Sequence, residues 1–207
     1  CIVGAGNATE IIKPEQEITV DCSKGEEGYV LDGLIPFEVK KIDLTTLPET
    51  KTKIMMNVGI PEQSFAQGQI PNDGVGLARI EFIISSHIGV HPLALIEYLK
   101  LKEQSQHDHK IAKIVKEIDL KTPMYEHKPD FYVDKLAQGT AMIGAAFYPN
   151  DVIVRFSDFK TNEYANLIGG ILYEPVESNP MLGWRGASRY YDPKFEPAFA
   201  LECIAIK

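Results

Sequence analysis

The apolar positions of this chain fall into short runs with two different periods. Residues 17–22 (EITVDC) alternate, residues 28–31 (GYVL) follow a glycine turn, and residues 37–42 (FEVKKI) alternate again, with Gly25, Gly28 and Gly33 as punctuation. Alternation bounded by glycines predicts short strands. Together they make a β unit of about 40 residues, marginal by itself and expected to lean on preceding sequence. Residues 45–53 (TTLPETKTK) are polar, contain a proline and have no apolar period, which marks a linker.

Beyond the linker the pattern changes. Residues 54–58 (IMMNV) form a compact apolar run, residues 61–67 fit a helix, residues 74–84 (GVGLARIEFII) contain a second buried strand, and residues 151–155 (DVIVR) a third. Continuous apolar strands separated by helices predict parallel pairing with cover on both faces. The roughly 65 residues between the second and third strands exceed an ordinary crossover and imply an inserted helical layer over 85–150. Three helical patterns fill it, 92–104, 110–118 and 129–147, with Pro92 and Pro129 at first-turn positions. A last helix over 193–207 runs to the end of the chain without a C-cap. The division this predicts is 1–44, a linker 45–53, and 54–207.

Composition narrows the class. Of 207 residues 44% are hydrophobic and 24% charged, enough to bury a core and too apolar for a disordered chain. The best candidate for a membrane segment, 137–147, is too short and is broken by Gly and Gln. Twenty-one basic against 29 acidic residues leave a net charge of −8, which argues against duplex nucleic acid but not against a small anion. Cys1, Cys22 and Cys203 form no CxxC, so a reducing, cytoplasmic setting is expected. The chain opens on Cys1 without a Met or a signal peptide, which reads as an internal cut.

The chemistry lies mostly in arginines. Arg79 ends one apolar strand and Arg155 another. In a parallel β/α barrel functional side chains sit at those ends, and an arginine there is costly unless it meets an anion. Guanidinium matches phosphate or carboxylate as a fork. The plainer alternative is local pairing, Arg79 with Glu81 and Arg155 with Asp158. Arg185 sits in the tightly punctuated NPMLGWRG, where a surface contact with Trp184 or an ion pair competes with a binding role; Arg189 reads as a solvated helix charge. Asp158, Lys160, Asn162 and Glu163 follow the third strand and could position a substrate or hold Arg155, and Asn57 ends the first strand. Weaker patterns carry little: GAGNAT lacks the last glycine of a dinucleotide loop, His107 and His109 lack partner spacing for a metal, and His87, His91 and His127 lack a triad.

Taken together, IMMNVGIPEQ, NDGVGLARIEFII, IGVHPLAL, GAAFYP, VIVRFSDFKTNEYANLIGG, YEP, NPMLGWRGASRY and FALEC resemble the phosphoenolpyruvate synthase (pyruvate, water dikinase) family of PEP-utilising enzymes. GNATEIIK, ITVDCSKGEEGYVLDG and FEVK resemble the tail of that family's phosphohistidine swivelling domain. The likeness runs over nearly the whole chain except the helical insert around 103–132. It implies an α/β fold, the first part of a (β/α)8 TIM-type barrel preceded by that β-rich tail. It also implies conversion of pyruvate, ATP and water to phosphoenolpyruvate, AMP and phosphate through a phosphohistidine, with Mg2+. Carried over by motif, Arg79 and Arg155 would grip the phosphoryl group and Arg185 would hold substrate charge; Asn57, Asp158 and Lys160 join them as substrate-binding candidates by their position at the strand ends. Met55 stands where the dikinases have a further arginine. The histidine segment, the nucleotide domain, the metal carboxylates and the acid–base cysteine motif are not in these residues, so this chain alone is expected to be inactive. Its expected partners are pyruvate or phosphoenolpyruvate, the remainder of one polypeptide and further copies of itself. A non-catalytic assembly module of the same descent, or a relative of pyruvate phosphate dikinase, are the alternatives.

Overall fold

The computed structural model describes residues 2–23, 27–41, 43–48 and 50–207; Cys1, Gly25 and Ile42, which figured in the sequence reading, lie outside the described residues. The chain divides into two compact units, residues 1–48 and 49–207.

The first unit holds a one-turn helix, α1 (Ala8–Ile11), and an antiparallel hairpin of β1 (Ile18–Asp21) and β2 (Tyr29–Asp32), paired from Ile18 with Asp32 to Asp21 with Tyr29. Thr19 seals its open end: its hydroxyl donates to the Gly33 carbonyl at 2.7 Å and accepts from the Ile35 amide at 2.8 Å. The third strand expected over 37–42 does not form among the described residues. Phe37 and Val39 are exposed, so the alternation has no buried face to turn towards.

The second unit is built on β3 (Met56–Val58), α2 (Pro61–Gln67), β4 (Val75–Arg79), α3 (Glu81–Ile83), α4 (Pro92–Ile96), α5 (Tyr98–Gln104), α6 (His109–Lys121), α7 (Lys128–Phe147), β5 (Val152–Arg155), α8 (Thr161–Ala165), α9 (Ala187–Tyr190) and α10 (Glu196–Ile206). The three strands lie in the order β3-β4-β5, all parallel. Gly74, just before β4, has φ +112°, and a Cβ there would run into the Asp151 carbonyl, so only glycine lets the two strands begin side by side. The apolar run after Arg79 leaves the sheet at once. Ile80, just before α3, Ile83 at its end and Ile84, which opens the π turn Ile84–Ile88, are fully buried.

Cover on both faces was the expectation, and the described residues show it on one. Val58, Val75 and Ala78 are buried and Met56, Val152 and Val154 partly buried, on the side where α7 packs with α2, α4, α10 and β5. Asn57, Leu77 and Ile153 alternate to the other side, and Ile153 is 55% exposed. The insert is helical as its periodicity predicts, with one break at Glu97 separating α4 from α5. Asp108 caps α6 by accepting from the amides of Lys110 and Ile111. In α7, Phe131, Leu136, Ile143 and Phe147 face the core, and Gly139 admits Ile83, whose side chain would lie 2.9 Å from a Cβ there. Among the described residues no helix is long and apolar enough to cross a membrane.

Two buried polar clusters tie the C-terminal segment to this frame. In the first, Arg189 is fully buried, a correction to its reading as a solvated charge. Its guanidinium donates to both Glu174 oxygens at 2.6 Å and to the Trp184 carbonyl, and stacks 4.0 Å above the Trp184 ring and 4.7 Å from that of Phe195. His91 Nδ1 accepts from the Leu93 amide, so Nε2 carries the proton and donates to Glu174 at 2.9 Å. Burial lowers the His91 pKa despite the Glu174 contact; burial pushes Glu174 up, and the hydrogen bonds from Arg189 and His91 outweigh it and hold the carboxyl below its ordinary range.

In the second, Glu202 on α10 is fully buried and accepts from the amide and hydroxyl of Ser157 and, at 3.4 Å, from Tyr132. Burial pushes its carboxyl up to about 7, against the Ser157 bonds that lower it.

Arg189→Ala leaves Glu174 buried without its counter-charge. It should cost about 3–5 kcal/mol in chemical denaturation, whereas Lys113→Ala, at an 80% exposed side chain, should stay within about 0.5 kcal/mol. Equal unfolding midpoints for the two variants would contradict the buried pair. Glu202 gives a pH prediction. Below the unfolded carboxyl pKa of about 4.3 both states are protonated; from there to about 7 the folded chain keeps a proton the unfolded chain has lost. The stabilisation from that proton is therefore lost as pH rises through 7. Glu202→Gln has no such proton, so its melting temperature relative to the native chain should climb between pH 5 and pH 8. A difference that does not change with pH would show that Glu202 titrates as an ordinary carboxylate.

Candidate functional site

Parallel strands in register bring equivalent positions to one edge. Arg79 and Arg155 are direct partners at the C-terminal ends of β4 and β5, on the face that also carries Leu77 and Ile153. There they line an open cavity of about 300 Å³ together with Leu77, Asp158, Lys160, Glu163, Met181 and Arg185. Four cations thus surround one space. Of the residues singled out from sequence, Arg79, Arg155, Arg185, Asp158 and Lys160 are brought together. Asn57 is exposed on the same sheet face but does not line the cavity, and Asn162 is exposed on α8 outside it.

Two carboxylates, Glu81 and Asp158, hold the three arginines apart. Glu81, the first residue of α3, is 5% exposed. Its Oε1 accepts from Arg155 Nη2 at 2.6 Å and from the Asp158 amide at 2.9 Å, while Oε2 lies 4.0 Å from Arg79 Nε and has no hydrogen-bond partner. Arg155 therefore pairs first with Glu81 across the sheet and only second with Asp158, at 3.6 Å. Its Nε is buried and unpartnered.

Asp158 is taken by Arg185, whose Nε and Nη2 donate to its two oxygens at 3.0 and 2.9 Å. That fork, helped by the charges of Arg155 and Arg79, holds the Asp158 carboxyl below its ordinary range, and Asp158 in turn raises the Arg185 pKa. The contact of Arg185 with Trp184 considered from sequence is replaced by this ion pair; the cation stacked on Trp184 is Arg189. Lys160 leans on Glu163 at 3.4 Å. Arg79 is the least engaged of the arginines: its side chain is 46% exposed and lies over the Phe82 ring at 4.8 Å.

This arrangement can receive a compact, multiply charged anion. Guanidinium groups come from three chain segments, each oriented by a carboxylate or ring, and one apolar wall is supplied by Leu77 and Met181. It does not offer a magnesium site. Glu81 and Asp158 are engaged by arginines, and among the described residues no three His, Cys, Asp or Glu side chains gather as metal ligands. His87 pairs with Glu62 and His127 with Asp130, both away from the cavity. Cys22 and Cys203 are exposed free thiols.

From sequence Glu81 reads only as a local partner for Arg79, and Glu174, Ser157 and Glu202 do not stand out. One signal was there to find: Glu202 is an acid in the middle of the apolar helix EPAFALECIAI, where an unpaired carboxylate would be expensive.

Comparison with known proteins gives the family. Residues 37–207 match the family model described as PEP-utilising enzyme, PEP-binding domain. Proteins named phosphoenolpyruvate synthase are similar along the chain: that of Synechocystis sp. is 55% identical over 100% of this chain and 24% of its own length. That of Aquifex aeolicus is 51% identical over 99% of this chain and 28% of its own length. That of Escherichia coli is 50% identical over 100% of this chain and 25% of its own length. The chain spans about a quarter of the length of these relatives. With a family match over 171 of its 207 residues, counted from 37 to 207, the chain belongs to the PEP-utilising enzymes, through their PEP-binding domain.

Proposed function

We propose that this chain supplies the phosphoenolpyruvate- and pyruvate-binding site of a phosphotransferase that converts pyruvate, ATP and water to phosphoenolpyruvate, AMP and phosphate. The observation that carries this reading is the convergence of Arg79, Arg155 and Arg185 on one cavity at the ends of parallel strands. The names of the relatives support it. The parallel sheet with one face left open supports a second element of the reading: β3, β4 and β5 begin a (β/α)8 barrel whose interior is the Leu77 and Ile153 face. In this reading residues 1–44 are the tail of a phosphohistidine domain, 45–53 the linker and 54–207 barrel, and ATP, Mg2+ and the histidine act from other parts of one cytoplasmic polypeptide that assembles with its own copies.

The chemistry follows from charge. Phosphoryl transfer to an enolate oxygen spreads negative charge over the phosphoryl oxygens, and the protein contributes mainly fixed positive charge and alignment. Arg155 presents a fork anchored from behind by Glu81. Arg79, the freer of the two, closes on the phosphoryl group from the neighbouring strand, and Arg185, fixed by Asp158, faces the substrate carboxylate. Leu77 and Met181 exclude water from the methylene side. The pre-formed ion pairs set the guanidinium planes before ligand arrives, so little reorganisation accompanies the transfer.

Phosphoenolpyruvate titrated calorimetrically into the 207-residue chain should bind. Arg155→Ala should weaken binding by about 1.5–3 kcal/mol, about 10- to 150-fold, and Arg155→Lys should recover only part, because ammonium makes no fork. In the complete protein the larger loss should fall on turnover, by about 100-fold. Arg155→Ala with native affinity and native turnover would refute the phosphoryl role and leave Arg155 as the partner of Glu81 alone.

A further inference from the structure

Glu202 lines no part of the arginine cavity, yet it holds the turn that carries the cavity's charged groups. Ser157 sits between Arg155 and Asp158, is 1% exposed, and has every polar atom bound. Its amide donates to Glu202 Oε2 at 3.1 Å and its hydroxyl to Oε1 at 2.5 Å; that hydroxyl also lies 2.7 Å from the Tyr164 hydroxyl, and the Tyr190 hydroxyl donates to its carbonyl at 2.8 Å. The next amide, that of Asp158, goes to Glu81. Two buried carboxylates, from α10 and α3, thus take two consecutive amides of one turn. A turn whose packing were purely apolar would not need a carboxylate buried under it, and the cost of burying one is evident in its raised pKa.

We propose that Glu202 is a positioning residue for the anion cavity: through Ser157 it fixes the 156–158 turn, and with it the aim of Arg155 and the seat of Asp158 that orients Arg185. The proposal rests on the binding role given to the cavity above. An ionised Glu202 accepts from both the amide and the hydroxyl of Ser157; once protonated it has one acceptor oxygen fewer for them. The groups that face it are Tyr132 on α7, Tyr164 on α8, Tyr190 on α9, Cys203 on its own helix and Glu81 on α3. Burial raises the pKa values of the three tyrosines and of Cys203, so these stay neutral between pH 6 and pH 8, and the charge of Glu81 opposes ionisation of Glu202.

The test uses the 207-residue chain in native, Glu202→Gln, Ser157→Ala and Arg155→Ala forms. Backbone amide exchange at Ser157 and Asp158, read by NMR, and calorimetric titration with phosphoenolpyruvate are both run at pH 6 and pH 8, with a thermal melt to verify folding. At pH 8 Glu202→Gln should melt cooperatively, exchange its Ser157 amide about tenfold faster and bind phosphoenolpyruvate about fivefold more weakly than the native chain. At pH 6, where native Glu202 is mostly protonated, both differences should narrow to about twofold or less. A folded Glu202→Gln with native exchange and affinity at both pH values overturns the proposal. So does an equal loss at both, which is the mark of general packing damage. Should Glu202→Gln fail to fold, Ser157→Ala decides by the same two readouts: a faster Asp158 amide and weaker binding at pH 8 support the proposal, native values overturn it. The substrate reading fails separately. If the native chain and Arg155→Ala take up phosphoenolpyruvate alike, that reading is lost, while the exchange rates still show whether Glu202 fixes the turn.

Discussion

Three guanidinium groups cannot share one cavity wall without carboxylates between them, and that constraint organises the site. Arg79 and Arg155 stand side by side at the ends of adjacent strands, and their mutual repulsion would splay them if nothing intervened. Glu81 lies between, taking Arg155 directly and standing 4.0 Å from Arg79, and Asp158 takes Arg185. Each carboxylate is itself held by the chain, Glu81 at the start of α3 and Asp158 by the turn after β5. Arg79, half-exposed and no nearer than 4.0 Å to Glu81 Oε2, is the arginine least taken up by the protein's own carboxylates and so the one best placed to meet a further anion.

The frame behind the wall is held by buried polar clusters as well as apolar packing. Arg189, Glu174 and His91 fasten the segment after α8 to the start of α4, and Glu202 fastens α10 to the turn after β5. Such groups are weak evidence for net stability, because an apolar replacement of matched shape can do as well. What they supply is direction: a fork or a paired acceptor has one geometry, and a binding site needs its arginines aimed more than it needs its core tight.

The strands, the main helices and the arginine pair were legible because they depend on local period and on which residue ends an apolar run. Residues 61–67 fold as the helix their pattern predicts, and the apolar runs at 54–58, 74–84 and 151–155 each contain a strand. The alternation at 37–42 forms no strand among its described residues, 37–41, because a strand needs a neighbour, which no single-chain pattern reveals. Arg189 was misread for the same reason: four residues beyond Arg185 it looks like a helix charge, and only the fold delivers Glu174 and the Trp184 ring to it. The partner of Arg155 lies 74 residues away at Glu81, nearer in space than Asp158 three residues on. Long-range carboxylates, not the arginines themselves, were the part that sequence left open.

The central claim is that the Arg79, Arg155 and Arg185 cavity is an anion site for phosphoenolpyruvate. A crystal structure of the chain soaked with phosphoenolpyruvate tests it most directly. The phosphate should lie within hydrogen-bond distance of the guanidinium groups of Arg79 and Arg155, with Glu81 still holding Arg155 from behind. Ligand density elsewhere, or an empty cavity at saturating ligand with Arg155 and Arg185 unmoved on Glu81 and Asp158, would contradict it.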